Sequence, residues 1–457
     1  MYGIAKKDKI IYNTCKQYEN TLRYELCFRG GFEMNLQIPY NKIHMNIEIP
    51  DANFQGVLES HPEGCTMEGT EQEIVERALD NPIGSPSLEE LAKGKKNVVI
   101  ISSDHTRPVP SHVTMPILLR RLREANPDID ITILIATGFH RATTHEELVQ
   151  KYGEKIVNEE KIVVHDSRDD AAMADLGTLP SGGALKINKL AVEADLLIAE
   201  GFIESHFFAG FSGGRKSILP GIASATTVMA NHCSEFIASP YARTGILTNN
   251  PIHRDMLYAA EQAGLAFILN VVIDAEKKVI AAFAGDSEKA HVTGCEFVLK
   301  MAEVKAQPSD IVVTTNGGYP LDQNIYQSVK GMTAAEANCK EGGVIIMVSA
   351  CNDGHGGQSF YENLRDAKSP HAMLERIAKV PRNETIPDQW EMQILARILD
   401  KFTVIMVTDM CSPEMIREMH MEHAYTFDEA LTRAFELKGK AAGVTVIPDG
   451  VSVIVRQ

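Results

Sequence analysis

KNVVIISSDHTRPVPSHVTMPILLRRLREANPDIDITILIA, residues 96–136, carries two hydrophobic periods side by side. NVVIIS (97–102) and ITILIA (131–136) are continuous apolar runs of strand length, the pattern of strands buried on both faces. Between them Met115, Leu118, Leu119 and Leu122 recur at i, i+3, i+4 and i+7, the apolar stripe of a helix lying on a sheet. Strand, crossover helix and strand together make the unit of a parallel sheet. The same alternation returns at DLLIAE (195–200), DIVVTT (310–315), VIIMVS (344–349) and FTVIMV (402–407). The chain is therefore expected to be α/β, with largely parallel or mixed sheets covered by helices.

Outward from this core, 457 residues are too many for one compact unit and suit two domains with a cleft between them. The polar, Pro-containing stretch KMAEVKAQPSD (300–310) marks the boundary. This places an N-terminal catalytic domain at 34–300 and a C-terminal α/β domain at 307–430. The tail 436–457, with the strand-like VTVIPDGVSVIVRQ, is expected to return to the N-terminal domain. Residues 1–33 show no sustained period and read as an extension, unstructured or not native. Met34 would then be the natural start, because Arg29-Gly30-Gly31 is what a purine-rich ribosome-binding site yields when translated.

A formal net charge of −16 and no Lys/Arg run argue against nucleic acid and favour small soluble substrates. No stretch approaches the roughly 20 apolar residues of a membrane helix, and the start lacks a signal-peptide layout, so a cytoplasmic protein is expected. Eight cysteines without a C-x-x-C pair suit reduced, structural thiols.

The densest chemistry lies in EGFIESHFFAGFSGGRKSILPGIASATTVMANHCSEF, residues 200–236. Gly210-Phe211-Ser212-Gly213-Gly214 matches G-x-S-x-G, yet a nucleophile elbow needs a strand ending at the serine, and the strand run ends at Glu200. GFSGGRKS approaches a phosphate loop, yet Arg215 stands where that motif needs glycine. A third reading makes Lys216 the tether of a planar ligand that Gly213, Gly214 and Gly221 allow to approach, flanked by His206 and His232. His232, on a helix capped by Ser224, would offer a neutral imidazole to a metal such as nickel. The alternative for each histidine is a satisfied polar residue near the core.

Further candidates follow strand runs, where ligands bind in open α/β sheets. After 97–102 come Asp104, His105, Thr106 and Arg107. Arg107 offers a planar fork to a carboxylate and Asp104 could orient it or a ring nitrogen, unless the segment is only a capped turn. After 131–136 comes GFHR, with His140 as an acid–base group, before a helix that Thr143 or Thr144 can cap. In the second domain Gln327 and Lys330, three apart in YQSVKG (326–331), share a helical face with Tyr326 beside them. Asp353-Gly354-His355-Gly356-Gly357 is a ligand-facing loop or a plain turn, and Trp390 an aromatic wall or ordinary core.

SDHTRPVP (103–110), GFHR (138–141), HFFAGFSGGRKSILPG (206–221), ANH (230–232), YQSVKG (326–331) and DQW (388–390) occur in the order and long-range spacing of the nickel-pincer-dependent lactate racemases. From Met34 onward the chain closely resembles that family. The resemblance implies a racemase or epimerase that inverts C2 of a 2-hydroxy acid: lactate, malate, 2-hydroxyglutarate, larger aliphatic acids or a sugar acid. It implies a pyridinium-3,5-bisthiocarboxylic acid mononucleotide joined to Lys216, binding nickel with His232 as the protein ligand. His140 and His206 would be the catalytic pair, moving the hydroxyl proton while hydride passes to and from the cofactor. Arg107 and Lys330 would hold carboxylate and hydroxyl, Gln327, Tyr326 and Trp390 would meet the substrate, and Asp104, His105, Thr106 and Arg107 would line the cofactor. A carboxylase, a sulfur transferase and a nickel insertase would be its cofactor-making partners, and an oligomer is possible. A second carboxylate on the substrate would need a further cation, for which Arg215 is a candidate. Two other readings stand beside this one: a zinc hydrolase or lyase with His140, His206 and His232 as ligands, separable by metal analysis, and a non-catalytic ligand-binding homologue.

Overall fold

The structure is a computed structural model and describes residues 33–61 and 65–457. Of the proposed extension at 1–33, residues 1–32 lie outside the described residues and Glu33 opens a strand, Glu33–Tyr40. Buried apolar runs produce two six-stranded sheets. The first has the order Val279–Gly285, Leu265–Ile273, Leu196–Phe202, Asn97–Ser103, Asp130–Ala136, Lys161–Val164. All neighbours are parallel except the first pair. The second has the order Glu422–Ala424, Thr403–Val407, Cys339–Val348, Ser309–Thr315, Val444–Ile447, Phe54–Val57 and is parallel throughout.

Helices cover both sheets because their apolar stripes match the sheet faces. The helix Ser111–Ala125 buries Met115, Leu118, Leu119 and Leu122 against Ile100, Ile133 and Ile198. Its neighbour His145–Tyr152 opens with a capping box in which Thr144 accepts from the Glu147 amide. The helices Ile325–Asn338 and Gln389–Lys401 bury Val329, Met332, Leu395 and Ile398 in a core shared by both halves.

Two boundaries differ from those expected. The tail is divided between the halves. Val444–Ile447 is buried on both faces and takes an interior slot of the second sheet, because such a strand needs hydrogen-bonding neighbours on both sides. Only Ile454–Arg456 returns, pairing with Glu303–Lys305 while Ile454 packs on Ile203, Phe211 and Phe283. At the other end, the hairpin Glu33–Tyr40 and Ile43–Pro50 lays Ile38, Ile47 and Ile49 against Ile311, Val313 and Val344. Residues 33–57 thus complete the second half. No helix among the described residues is long and apolar enough to cross a membrane.

Candidate active site

Parallel strands deliver their C-terminal loops to one edge, and the candidate residues sit on those loops. After Asn97–Ser103 the chain turns at Asp104, which is 1 % exposed. Its carboxylate accepts from the Thr106 hydroxyl at 2.6 Å and from His140 Nδ1 at 2.6 Å, His140 coming from the loop after Asp130–Ala136. Burial pushes the Asp104 carboxyl up, but the His140 and Thr106 hydrogen bonds and the His140 and Arg107 charges outweigh it and hold it below the usual range. The result is an imidazole with Nδ1–H anchored and Nε2 free. His105 looks elsewhere, engaging Thr143 at 3.2 Å and Glu147 at 3.6 Å.

The strand Leu196–Phe202 leads into a tight hairpin in which Ser205 pairs with Phe211 and His206 with Gly210. A short 3₁₀ turn, Gly214–Ser217, then brings Lys216 back so that its Nζ lies 3.0 Å from His206 Nε2. Burial, then the charges of Arg215 and Arg107, hold the Lys216 ammonium far below its ordinary value. Burial and the nearby cations, Lys216 first, likewise keep His206 neutral.

Ser224 caps the helix Ala225–Asn231, and His232 is its C-cap rather than an interior residue. The His232 Nδ1–H donates to the Val228 carbonyl at 3.1 Å, so Nε2 is bare, and burial with the Lys216 charge lowers its pKa to about 3. The rings of Phe208 and Trp390 stand 5.2 and 5.0 Å from it.

Trp390 arrives from the second half at the start of Gln389–Lys401, while Tyr326, Gln327 and Lys330 lie on Ile325–Asn338. Tyr326 donates to Asp388 at 3.1 Å, and Gln327 Oε1 is buried with no partner. Arg107 is the electrostatic neighbour of Glu204, His206, Lys216 and Lys330, so the loops of one half and the helix of the other share one field. The site is a cleft between the halves, clamped by Gln393 donating to the Ser234 carbonyl at 2.8 Å and by Arg382 with Glu235 at 2.7 Å.

Several expectations change. Arg215 is not a substrate cation: it is 1 % exposed and spends its donors on the carbonyls of Ala209, Phe211, Ser212 and Gly213 and on His253. The three glycines do not clear space for a ligand. A Cβ at Gly213 would meet Asn270 at 2.7 Å, at Gly214 His291 at 2.7 Å, and at Gly221 the Ser217 carbonyl at 2.2 Å. They allow the turn to pack on the protein itself. His140, His206 and His232 do not form a shared cage, and no group of three His, Cys, Asp or Glu among the described residues can hold a metal. The tri-histidine zinc reading falls with that. The 353–357 loop packs on the helix start, with Gly356 against Asn324 and the Tyr326 amide donating to the His355 carbonyl at 3.2 Å. Two residues escaped the sequence reading. Glu204 faces the cleft, and Glu391, 1 % exposed, lies beside Lys330 with its carboxyl raised to about 8 by burial. Neither carries a local motif; Glu391, three residues from Asp388, could have been flagged as a carboxylate on an apolar helix face.

Comparison with known proteins agrees in both halves. Residues 40–245 match the lactate racemase N-terminal domain and residues 304–455 the lactate racemase C-terminal domain. The lactate racemase of Thermoanaerobacterium thermosaccharolyticum is 60% identical over 423 residues, covering 93% of this chain and 99% of that protein. The lactate racemase of Lactiplantibacillus plantarum is 61% identical over 421 residues, 92% of this chain and 99% of that one. The solved lactate racemase apoprotein of the former organism superposes with a TM-score of 0.90, covering 93% of this chain and all of that chain. A Thermotoga maritima protein of 20% identity shares the fold at a TM-score of 0.63, covering 85% and 100%. The chain is an isomerase and belongs to the lactate racemase family.

Proposed function

We propose that the chain racemises lactate with a nickel pincer nucleotide held by Lys216 and His232. The observation that carries this reading is the grouping in one cleft of a buried lysine amine held far below its ordinary pKa by burial, a bare buried imidazole and two further imidazoles of different environment. The donor set suits the cofactor. His232 Nε2 is free and neutral, a good ligand for nickel, and Phe208 and Trp390 wall it. Lys216 is a free amine able to form an amide-type link. Asp104, Thr106 and Arg107 would line the group by side chains and His105 by its backbone, since its ring is committed to Thr143 and Glu147. When bound, the group supplies a hydride acceptor and donor for C2, sparing removal of a weakly acidic hydrogen as a proton.

The chain's own residues then move one proton and hold one anion. His140 Nε2, its ring fixed through Nδ1 by Asp104, takes the hydroxyl proton from one enantiomer. His206 serves the other, so the pair meets the two-sided symmetry of racemisation. Arg107 and Lys330 would hold the carboxylate and Gln327, whose Oε1 is unpartnered, the hydroxyl, with Tyr326 and Trp390 as walls. With Arg215 consumed internally, monocarboxylates are favoured over the dicarboxylates malate and 2-hydroxyglutarate. A carboxylase, a sulfur transferase and a nickel insertase would supply the cofactor.

Protein co-expressed with cofactor-making enzymes is tested on single-enantiomer 2-hydroxy acids. Lactate should lose optical purity fastest, and racemisation in D₂O should leave C2 unlabelled, because hydride, unlike a proton, does not exchange with solvent. Deuterium at C2 in step with racemisation would overturn the hydride mechanism, and unchanged lactate with mass added on Lys216 would overturn the function.

A further inference from the structure

Arg215 is a buried guanidinium with no carboxylate partner among the described residues. Among the described residues it donates to backbone carbonyls and, through Nε, to His253 Nδ1 at 3.0 Å, while the neighbouring His291 Nε2 donates to the Ser212 carbonyl at 2.8 Å. Such a group is costly to bury, so the structure around it is built to use it. One bond stands apart: Nη2 donates at 2.7 Å to the carbonyl of Ala209, whose own amide donates to His206 Nδ1 at 3.3 Å. Nη1 also reaches the Gly213 carbonyl at 3.3 Å, and that carbonyl accepts from the Lys216 amide at 3.1 Å. Arg215 thus grips both ends of the segment that sets His206 against Lys216.

A neutral imidazole has one bare nitrogen and one N–H. With Nδ1 accepting from Ala209, the proton of His206 sits on Nε2, and Nε2 lies 3.0 Å from Lys216 Nζ. Lys216 must then be the acceptor in that bond, which only an uncharged amine can be. An ammonium there would instead donate to Nε2 and force the proton onto Nδ1, against the Ala209 amide. At His140 the arrangement is reversed, with Nδ1–H donating to Asp104. We propose that Arg215 is a positioning residue: in the cofactor-free chain, before Lys216 is acylated, it anchors Ala209 and so fixes His206 in the Nε2–H tautomer, which holds Lys216 as a free amine ready for acylation. Burial of Lys216 and the Arg215, Arg107 and Lys330 charges act in the same direction, with Glu204 opposing. The purpose assigned to the amine rests on the tether proposed above, whereas the tautomer does not.

The full chain made without cofactor-making enzymes and labelled with ¹⁵N-histidine reports the tautomer, with His206→Asn assigning the signal. Wild type should show protonated Nε2 and bare Nδ1 at His206 at pH 7, and the opposite pattern at His140. Protonated Nδ1 at His206 would overturn the proposal. Arg215→Lys keeps the charge but lacks the fork, and should lose the single-tautomer signal with the melting curve still cooperative. A folded Arg215→Lys protein with the wild-type pattern would remove Arg215 from the account. If that variant does not fold, the Ala209 amide of wild type decides: it should exchange at least tenfold slower than a free peptide, and free-peptide exchange would overturn the cap. Racemase activity enters none of these readings, so a failed tautomer and a failed racemase are told apart.

Discussion

Asp104 and His140 form a directed pair in the cleft, and on the proposed mechanism their bond decides which ring nitrogen is turned to substrate. Asp104→Asn can donate rather than accept and would turn the imidazole into the wrong tautomer. We expect loaded enzyme to lose kcat by on the order of 10²–10⁴ with KM little changed, the usual size of an acid–base contribution; an equal loss through KM alone would contradict that role. Glu391 makes a different prediction. Its folded carboxyl is raised to about 8 from an ordinary 4.5, burial being the first cause and the Lys330 charge opposing it. Between those values the native state binds more protons than the unfolded chain, so this group lowers stability as pH rises. Glu391→Gln lacks that titration and should gain in melting temperature over wild type more at pH 8 than at pH 5; a gain independent of pH would sink the account. Among single residues the sequence announced the histidines, Lys216 and Arg107 by motif. It left Glu204, Glu391 and the structural employment of Arg215 unannounced, because burial and partners set those.

Elements place these side chains through their ends rather than their middles. Thr144 caps the helix that follows the His140 loop, and Glu147 of that capping box also pairs with Arg141 at 2.6 Å. Thr144→Ala should cost about 1 kcal/mol in denaturant unfolding and leave the m-value unchanged. The Gly214–Ser217 turn is tighter still, since a Cβ on Gly221 would lie 2.2 Å from the Ser217 carbonyl. Gly221→Ala should therefore displace Lys216 and abolish mass addition there under loading conditions; full loading would show that the turn tolerates the shift. Strand and helix existence was legible from period, down to the stripe on Ser111–Ala125. The glycines were legible as special but not in purpose, since their neighbours, Asn270, His291 and Ser217, include residues distant in sequence.

The whole molecule buries several imidazoles in and around the cleft, and its titration should show it. His165, His206, His232, His253 and His291 are all held below the ordinary imidazole range, burial being the first cause in each. Below about pH 6.5 the unfolded chain takes up protons that the fold refuses, so stability falls with acidification. The cofactor-free protein should show a lower urea midpoint at pH 5.5 than at pH 7.5, and equal midpoints would mean that these imidazoles take up protons without cost in the fold. The sequence by itself determined the α/β class and the family, because periodicity and motifs are local properties. Only the tertiary structure decided that Phe54–Val57 and Val444–Ile447 complete the second sheet while the hairpin of residues 33–50 packs on it, that Trp390 meets His232 across the cleft, and that Arg215 faces inward. Those outcomes follow from which buried hydrogen-bonding groups and apolar faces find partners, a competition settled between segments hundreds of residues apart.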